Sequence, residues 1–247
     1  MLSKIINIRD GAYAIRHPVY LTNSYIVRSS KGIYLIDSGV YADGSDMLSA
    51  LNRLNISVGD IRGILLTHWH NDHTGGASVI RSKCNGSVYY HEDAKNHFTG
   101  VVATGIAQKI FDWMPDFGPF SLMKGIVGQC PPRPIFADKF VKEGDVIDEL
   151  FSVWETPGHE IGHLSYWFPE MKLLFTGDAI AVCGKRIWYM SSALTKEFVS
   201  AKESMLRCIN SKAEYICPGH QKPIRVNENN TRDAKIHLSK NNKWPIF

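Results

Sequence analysis

A chain of 247 residues is long enough to bury one sizeable core, and its apolar and charged fractions, 44% and 21%, are ordinary for a globular protein. The formal net charge of +4 is small. No dense basic cluster accompanies it, since Lys235 to Lys243 is diluted by Asn, Ser and Leu, and this argues against a nucleic-acid or membrane-surface protein. In chain order, Met1-Leu2-Ser3-Lys4-Ile5 lacks the apolar stretch of a signal peptide, and none is expected. Residues 11–21 read as a first hairpin region, with Ala12-Tyr13-Ala14-Ile15 ahead of the turn-prone His17-Pro18. Residues 24–28 and 33–37 read as two strands joined across Ser29-Ser30-Lys31-Gly32, a spacer suited to a hairpin. Residues 45–54 have helical periodicity, with Met47, Leu48, Leu51 and Leu54 on one face and Ser45 as a cap.

The next stretch concentrates chemistry. Ile64-Leu65-Leu66 suits a buried strand, and Gly75-Gly76 opens a helical stretch over 77–83 while letting backbone pass close by. Between them, on the loop from strand to helix, lie His68, His70, Asp72 and His73. In an extended segment His68, His70 and Asp72 point to one side, and His73 breaks the alternation as the chain turns. Two imidazoles can then hold one ion while Asp72 and His73 reach a second. Imidazole with carboxylate suits zinc, iron or manganese. The alternative is a polar loop whose histidines cap a helix.

Beyond it, 88–90 reads as a strand and 92–98 as helical, with His91 and His97 structural or solvent-facing. Residues 99–134 are dense in aromatic and Met residues broken by Gly and Pro, as in a helical insertion with an apolar loop. A strand over 151–155 runs into Thr156-Pro157-Gly158-His159 and then Glu160-Ile161-Gly162-His163. A hairpin of 164–168 and 172–176 delivers Gly177-Asp178. Thr195 caps a helix to residue 209, with Phe198, Ala201, Met205, Cys208 and Ile209 as its core face. A strand over 215–217 ends in Pro218-Gly219-His220, and a helical stretch over 232–238 follows. The cysteines (84, 130, 183, 208 and 217) are odd in number, widely spaced and without a Cys-x-x-Cys pair. Reduced thiols in a cytoplasm are expected. No run approaches the roughly 18 apolar residues of a membrane span.

His68-Trp69-His70-Asn71-Asp72-His73 resembles the His-x-His-x-Asp-His signature of the metallo-β-lactamase-fold superfamily, which includes glyoxalase II-like and lactonase-like hydrolases. The resemblance extends over almost the whole chain. It implies an α/β fold of one domain over 1–247: a four-layer αβ/βα sandwich of two mixed sheets flanked by helices, with the insertion at about 99–134. It implies a first metal held by His68, His70 and His159, a second by Asp72, His73 and His220, and Asp178 as the bridge. Two zinc ions per chain are expected, with iron or manganese compatible. Asp37 either steers a ligand or is a plain turn acid, and His163 has a supporting role.

The reaction so implied is hydrolysis of a carbonyl compound by a metal-bridging hydroxide, with Asp72 in general acid/base work. Aspartate at 178 resembles thioesterases and lactonases, whereas several β-lactamase subclasses carry Cys there. An ester, thioester or lactone is therefore expected, with weak β-lactam turnover. Cys183-Gly184-Lys185 keeps the Gly-Lys of the glutathione-holding element of glyoxalase II-like thioesterases, with Tyr189 displaced, so Lys185 and Tyr189 are the candidate substrate-binding residues. The insertion walls the pocket, packs as core or makes a dimer contact. The expected partner is a small molecule, with neither nucleic acid nor membrane, and a homodimer is compatible. The alternative reading is a persulfide dioxygenase-like protein, similar in signature but using a single iron.

Overall fold

The computed structural model describes residues 3–18, 21–100, 130–190 and 194–240. Most of the expected insertion, 101–129, lies outside them. The first sheet has seven strands in chain order: β1 (Lys4–Arg9), β2 (Ala12–Arg16), β3 (Asn23–Ser29), β4 (Gly32–Ile36), β5 (Ile61–Leu65), β6 (Ser87–Tyr90) and β7 (Lys139–Phe140). The first four pair antiparallel across short connections. From β4 onward the pairs are parallel, and parallel pairs need crossovers. α1 (Ser45–Arg53) supplies one crossover, and α2 (Asn71–Thr74) with α3 (Ala77–Arg81) supplies the next. α4 (Lys95–Phe98) follows β6.

The second half repeats the plan. β8 (Val146–Ile147), β9 (Phe151–Glu155), β10 (Leu164–Phe168) and β11 (Leu173–Gly177) form an antiparallel meander. β12 (Ala181–Cys183) and β13 (Arg186–Trp188) make a separate small hairpin. α5 (Phe198–Ile209) crosses over, and β14 (Tyr215–Pro218) returns parallel to β11. β15 (Ile224–Arg225) and α6 (Glu228–Lys240) close the fold.

Alternation along the strands sorts the side chains into layers. Tyr34 and Ile36 of β4 face the second sheet and pack with Phe151, Leu173 and Phe175. Leu35, between them, packs with Met47, Ala50 and Leu51 of α1. Leu174 of β11 faces outward with Met205 and Cys208 of α5 and Leu238 of α6. The result is helix, sheet, sheet, helix, the four-layer sandwich. Tyr25 and Phe175 meet across the central layer with ring centroids 5.0 Å apart. Each such fully buried aromatic contributes roughly 1.5–3 kcal/mol of burial. No described helix is long and apolar enough to cross a membrane.

The hairpin about His17-Pro18 forms as β2 and β3, and β1 adds to the other edge of β2. Three other local readings change. Ser45 does not cap α1: the preceding Gly44 has φ +67°, and the Asp43 carboxylate accepts the Ser45 N–H at 3.0 Å. α5 starts at Phe198, not beside Thr195, because the Glu197 carboxylate takes the N–H groups of Val199 (3.1 Å) and Ser200 (2.6 Å). An acid at a helix N-terminus also meets the positive end of the dipole. Phe198 consequently stands in the first turn and is exposed, not core.

Candidate active site

The parallel strands β4 and β5 end side by side and hand over to Asp37 and Thr67. Asp37 is buried, and its carboxylate accepts the Thr67 N–H at 2.9 Å, the Thr67 hydroxyl at 3.0 Å and the His73 Nδ1–H at 2.8 Å. The hydroxyl of Thr67 also lies 3.0 Å from His68 Nδ1. Asp37 therefore steers the ring of His73, an expected ligand, and the plain-turn alternative falls.

The motif itself is less extended than its spacing suggests. Strand β5 stops at Leu65, and Asn71–Thr74 form the helical turn α2 with His70 at its N-cap. Asp72 and His73 are thus aimed by a helical turn, not by strand alternation. The two glycines after it are demanded by contact: a Cβ on Gly75 would lie 2.4 Å from the Val40 carbonyl oxygen, and one on Gly76 2.6 Å from that of Ser38.

The second sheet brings the remaining groups from the ends of its own parallel pair. Asp178 follows β11, and His220 follows β14 through Pro218-Gly219. A Cβ at Gly219 would fall 2.1 Å from Asp178 Oδ1, so only glycine lets His220 approach this closely. His159 follows β9, with its Nδ1–H donating to the Leu194 carbonyl at 2.5 Å.

All seven expected ligands converge. The ligand atoms form three groups, His68–His70–His159, His68–His73–Asp178 and Asp72–His73–His220, each within 4.8 Å. Asp178 stands at the centre. Its Oδ2 is 3.5 Å from His159 Nε2 and 3.3 Å from His220 Nε2, while its Oδ1 is 3.5 Å from His73 Nε2. Asp72 Oδ2 is 3.7 Å from His73 Nε2 and 3.6 Å from His220 Nε2.

Three buried atoms here lack a hydrogen-bond partner among the described residues: His68 Nε2, His73 Nε2 and Asp178 Oδ1. Buried polar atoms are rarely left so. Three such atoms facing one another fit divalent ions, and the nitrogen and oxygen set suits zinc, iron or manganese.

The electrostatics divide the cluster. Burial drives His68 well below the usual imidazole range and His159 to about 4, so both rings are neutral. Burial would lower His73 and His220 too, but carboxylates outweigh it. Asp72, Asp178 and Asp37 raise His73 to about 10, and Asp178 and Asp72 raise His220 to about 9. Burial opposes ionisation of Asp178, yet His220 and His73 hold it well below the ordinary carboxylate range.

Three further residues support the site. His163 Nε2 accepts the Asp178 backbone N–H at 3.0 Å, and its Nδ1 lies 2.9 Å from the Thr156 hydroxyl. Burial takes His163 down to about 3. This is the supporting role expected of it. Sequence reasoning missed Glu160, whose Oε1 lies 3.2 Å from His70 Nε2 and so turns His70 Nδ1 toward His159 Nε2, 3.3 Å away. It also missed Thr22, whose hydroxyl donates to Asp72 Oδ2 at 2.9 Å. Glu160 stands directly after His159, a position that could have flagged it. Nothing local flags Thr22.

The two candidate substrate residues are not equivalent. Lys185 lines an open groove of about 360 Å³ with Arg16, Val182, Gly184, Gln221 and Lys222, next in sequence to His220. Tyr189 is buried against Ile180, Val182 and Met205 in the outer core, with its ring 4.9 Å from that of Trp188. Of the other histidines, His97 stacks on Trp69 at 4.5 Å and His91 pairs with Glu155 at 3.1 Å, both structural as expected.

Known proteins place this geometry. The chain is 31% identical over 144 residues to the hydroxyacylglutathione hydrolase of Bdellovibrio bacteriovorus, covering 57% of this chain and 43% of that protein. It is 30% identical over 163 residues to an atrochrysone carboxyl ACP thioesterase of Aspergillus chevalieri, covering 64% and 40%. The chain thus spans less than half the length of the curated relatives it matches. A crystal structure of a metallo-beta-lactamase family protein from Thermus thermophilus superposes with a TM-score of 0.64 at 22% identity, covering 94% of this chain and 81% of the other. The model of the metallo-beta-lactamase superfamily matches residues 17–220. By that match, and by the sandwich and ligand-bearing edge that accompany it, the chain belongs to the metallo-beta-lactamase superfamily.

Proposed function

We propose that the protein is a dinuclear metal-dependent hydrolase acting on a thioester, lactone or other ester. The observation that carries this reading is Asp178, whose carboxylate stands between His159 on one side and His73 and His220 on the other. His68, His70 and His159 would hold one ion, Asp72, His73 and His220 the other, and Asp178 both. Two divalent ions so placed would supply Lewis acidity and a hydroxide nucleophile near neutral pH.

The chain's own residues do the rest. Asp37, Glu160 and His163 fix the rings of His73 and His70 and the backbone of Asp178. Asp72, whose Oδ2 faces His73 and His220, would take a proton and return it to a leaving group. His220 is the most exposed of the seven, at 19% of its side chain, so substrate would enter on its side. Lys185, on the hairpin beside it, would meet an anionic part of the substrate. The hydrolase and thioesterase named among the relatives support a carbonyl substrate.

Elemental analysis of purified protein, followed by a panel of thioesters, lactones and β-lactams, tests the reading. Two ions per chain with turnover of thioesters or lactones, and only weak β-lactam turnover, is the expected result. One iron per chain, with oxygen uptake on persulfides, would overturn it.

A further inference from the structure

Thr22 is fully buried and touches two members of the Asp72–His73–His220 group by different means. Its hydroxyl donates to Asp72 Oδ2 at 2.9 Å, the oxygen that faces His73 and His220. Its backbone forms an isolated antiparallel bridge with His220. Hydrogen bonds on either side lock that bridge: Asn23 N–H to the Gly219 carbonyl at 2.7 Å, and Gln221 N–H to the Leu21 carbonyl at 3.1 Å. The Asn23 side chain donates to the Pro218 carbonyl at 3.0 Å. From the other side, the His17 N–H holds the Thr22 carbonyl at 2.8 Å. Both ties of Thr22 to the site therefore run to the second trio.

We propose that Thr22 is a positioning residue for the second metal position, its hydroxyl setting the Asp72 carboxylate and its backbone setting His220. This rests on the two-ion reading above. A carboxylate can rotate about its Cβ–Cγ bond, and a donor fixed on one oxygen removes that freedom. Partners of this kind, one bond behind the ligands, typically govern metal affinity by about 10- to 100-fold. Thr22 also joins segments from both halves of the chain, so the second position depends directly on how β3 meets β14.

The test uses zinc-loaded wild type, Thr22→Val and Thr22→Ser. Each is challenged with graded chelator, the zinc retained is counted by elemental analysis, and folding is followed by circular dichroism. Thr22→Val is expected to release one zinc at roughly 10- to 100-fold lower chelator strength and to keep the other at wild-type strength. Thr22→Ser, which keeps the hydroxyl, is expected to match wild type. Val retaining both ions, Val losing both in parallel, or Ser behaving as Val overturns the proposal. If Thr22→Val does not fold, Thr22→Ala against Thr22→Ser carries the same comparison, and an unfolded Ala variant assigns Thr22 to stability alone. A wild type that holds one ion overturns the two-ion reading itself. A wild type and a Thr22→Val that both hold two overturn only the role of Thr22.

Discussion

The trio His68–His70–His159 and the trio Asp72–His73–His220 sit against the same aspartate, yet they rest in opposite conditions. In the first, burial has stripped protons from His68 and His159. In the second, burial also works against the charged rings, but His73, beside Asp72, Asp178 and Asp37, and the less buried His220, beside Asp178 and Asp72, keep theirs. Burial alone therefore does not decide the charge of a histidine; the placement of carboxylates does. The first trio is ready to accept a cation. The second is a closed set of ion pairs that must release protons first.

The severest way to break this contrast is Asp178→Ala, which removes the group common to both trios. At least one ion should be lost and turnover should fall by roughly 10³-fold or more, the scale of several kcal/mol of charge stabilisation. Metal content and kcat/KM measure this, and a variant holding both ions would sink the bridging assignment. Next is Glu160→Gln, which should act on the first trio alone. Affinity for one ion should drop about 10- to 100-fold while the other is held. Chelator competition reads it, and equal weakening of both positions would count against the division.

The contrast also fixes the pH profile of the metal-free protein. His159 and His163 have folded values of about 4 and 3, below the unfolded 6.5. Their contribution is complete above pH 6.5 and is lost as pH falls from there toward 3. His73 and His220 have folded values of about 10 and 9, above 6.5. Their contribution is complete below pH 6.5 and is lost as pH rises toward 9 and 10. Melting temperature after chelation should therefore fall on both sides of neutrality, and His163→Gln should flatten the acid limb only. A profile still rising from pH 7 to 9 would contradict the protonated second trio. The smallest effect belongs to the groove. Lys185→Ala should raise KM a few-fold for an anionic substrate at unchanged kcat, while Tyr189→Phe, within the outer core, should leave both nearly unchanged. Michaelis profiles of the two variants decide it.

What was legible in the sequence was whatever chemistry stands at a fixed spacing. His68, His70, Asp72 and His73 announce themselves in one loop, and His159, Asp178 and His220 each follow a strand ending in Gly or Pro-Gly. The four layers, and the ligand roles of His159, Asp178 and His220, followed from the family resemblance that this loop carries. Glu160 and Thr22 were not, because they act on residues 90 and 50 positions away and only packing brings them close. The start of α1 was read correctly but its cap was not, since Gly44 and the Asp43 carboxylate precede Ser45, and the start of α5 was misplaced because the Glu197 carboxylate took the exposed N–H groups of Val199 and Ser200. Tyr189 had a plausible neighbourhood in sequence, but its ring packs with the outer core.

Neither half of the chain owns a complete trio. The first sheet gives two ligands to each, and the second sheet closes both, joining His70 to His159 across 89 positions. Any ion held there is consequently a cross-link between the two sheets, added to their apolar packing and to the hydrogen bonds that join them beside the site. Like a staple closing a long loop, it opposes separation of the sheets, by about 2.7 kcal/mol when free ion stands at a hundred times its dissociation constant. The same centre that would perform chemistry would then also fasten the sandwich shut, so starvation for metal should expose the chain to proteases as well as silence it.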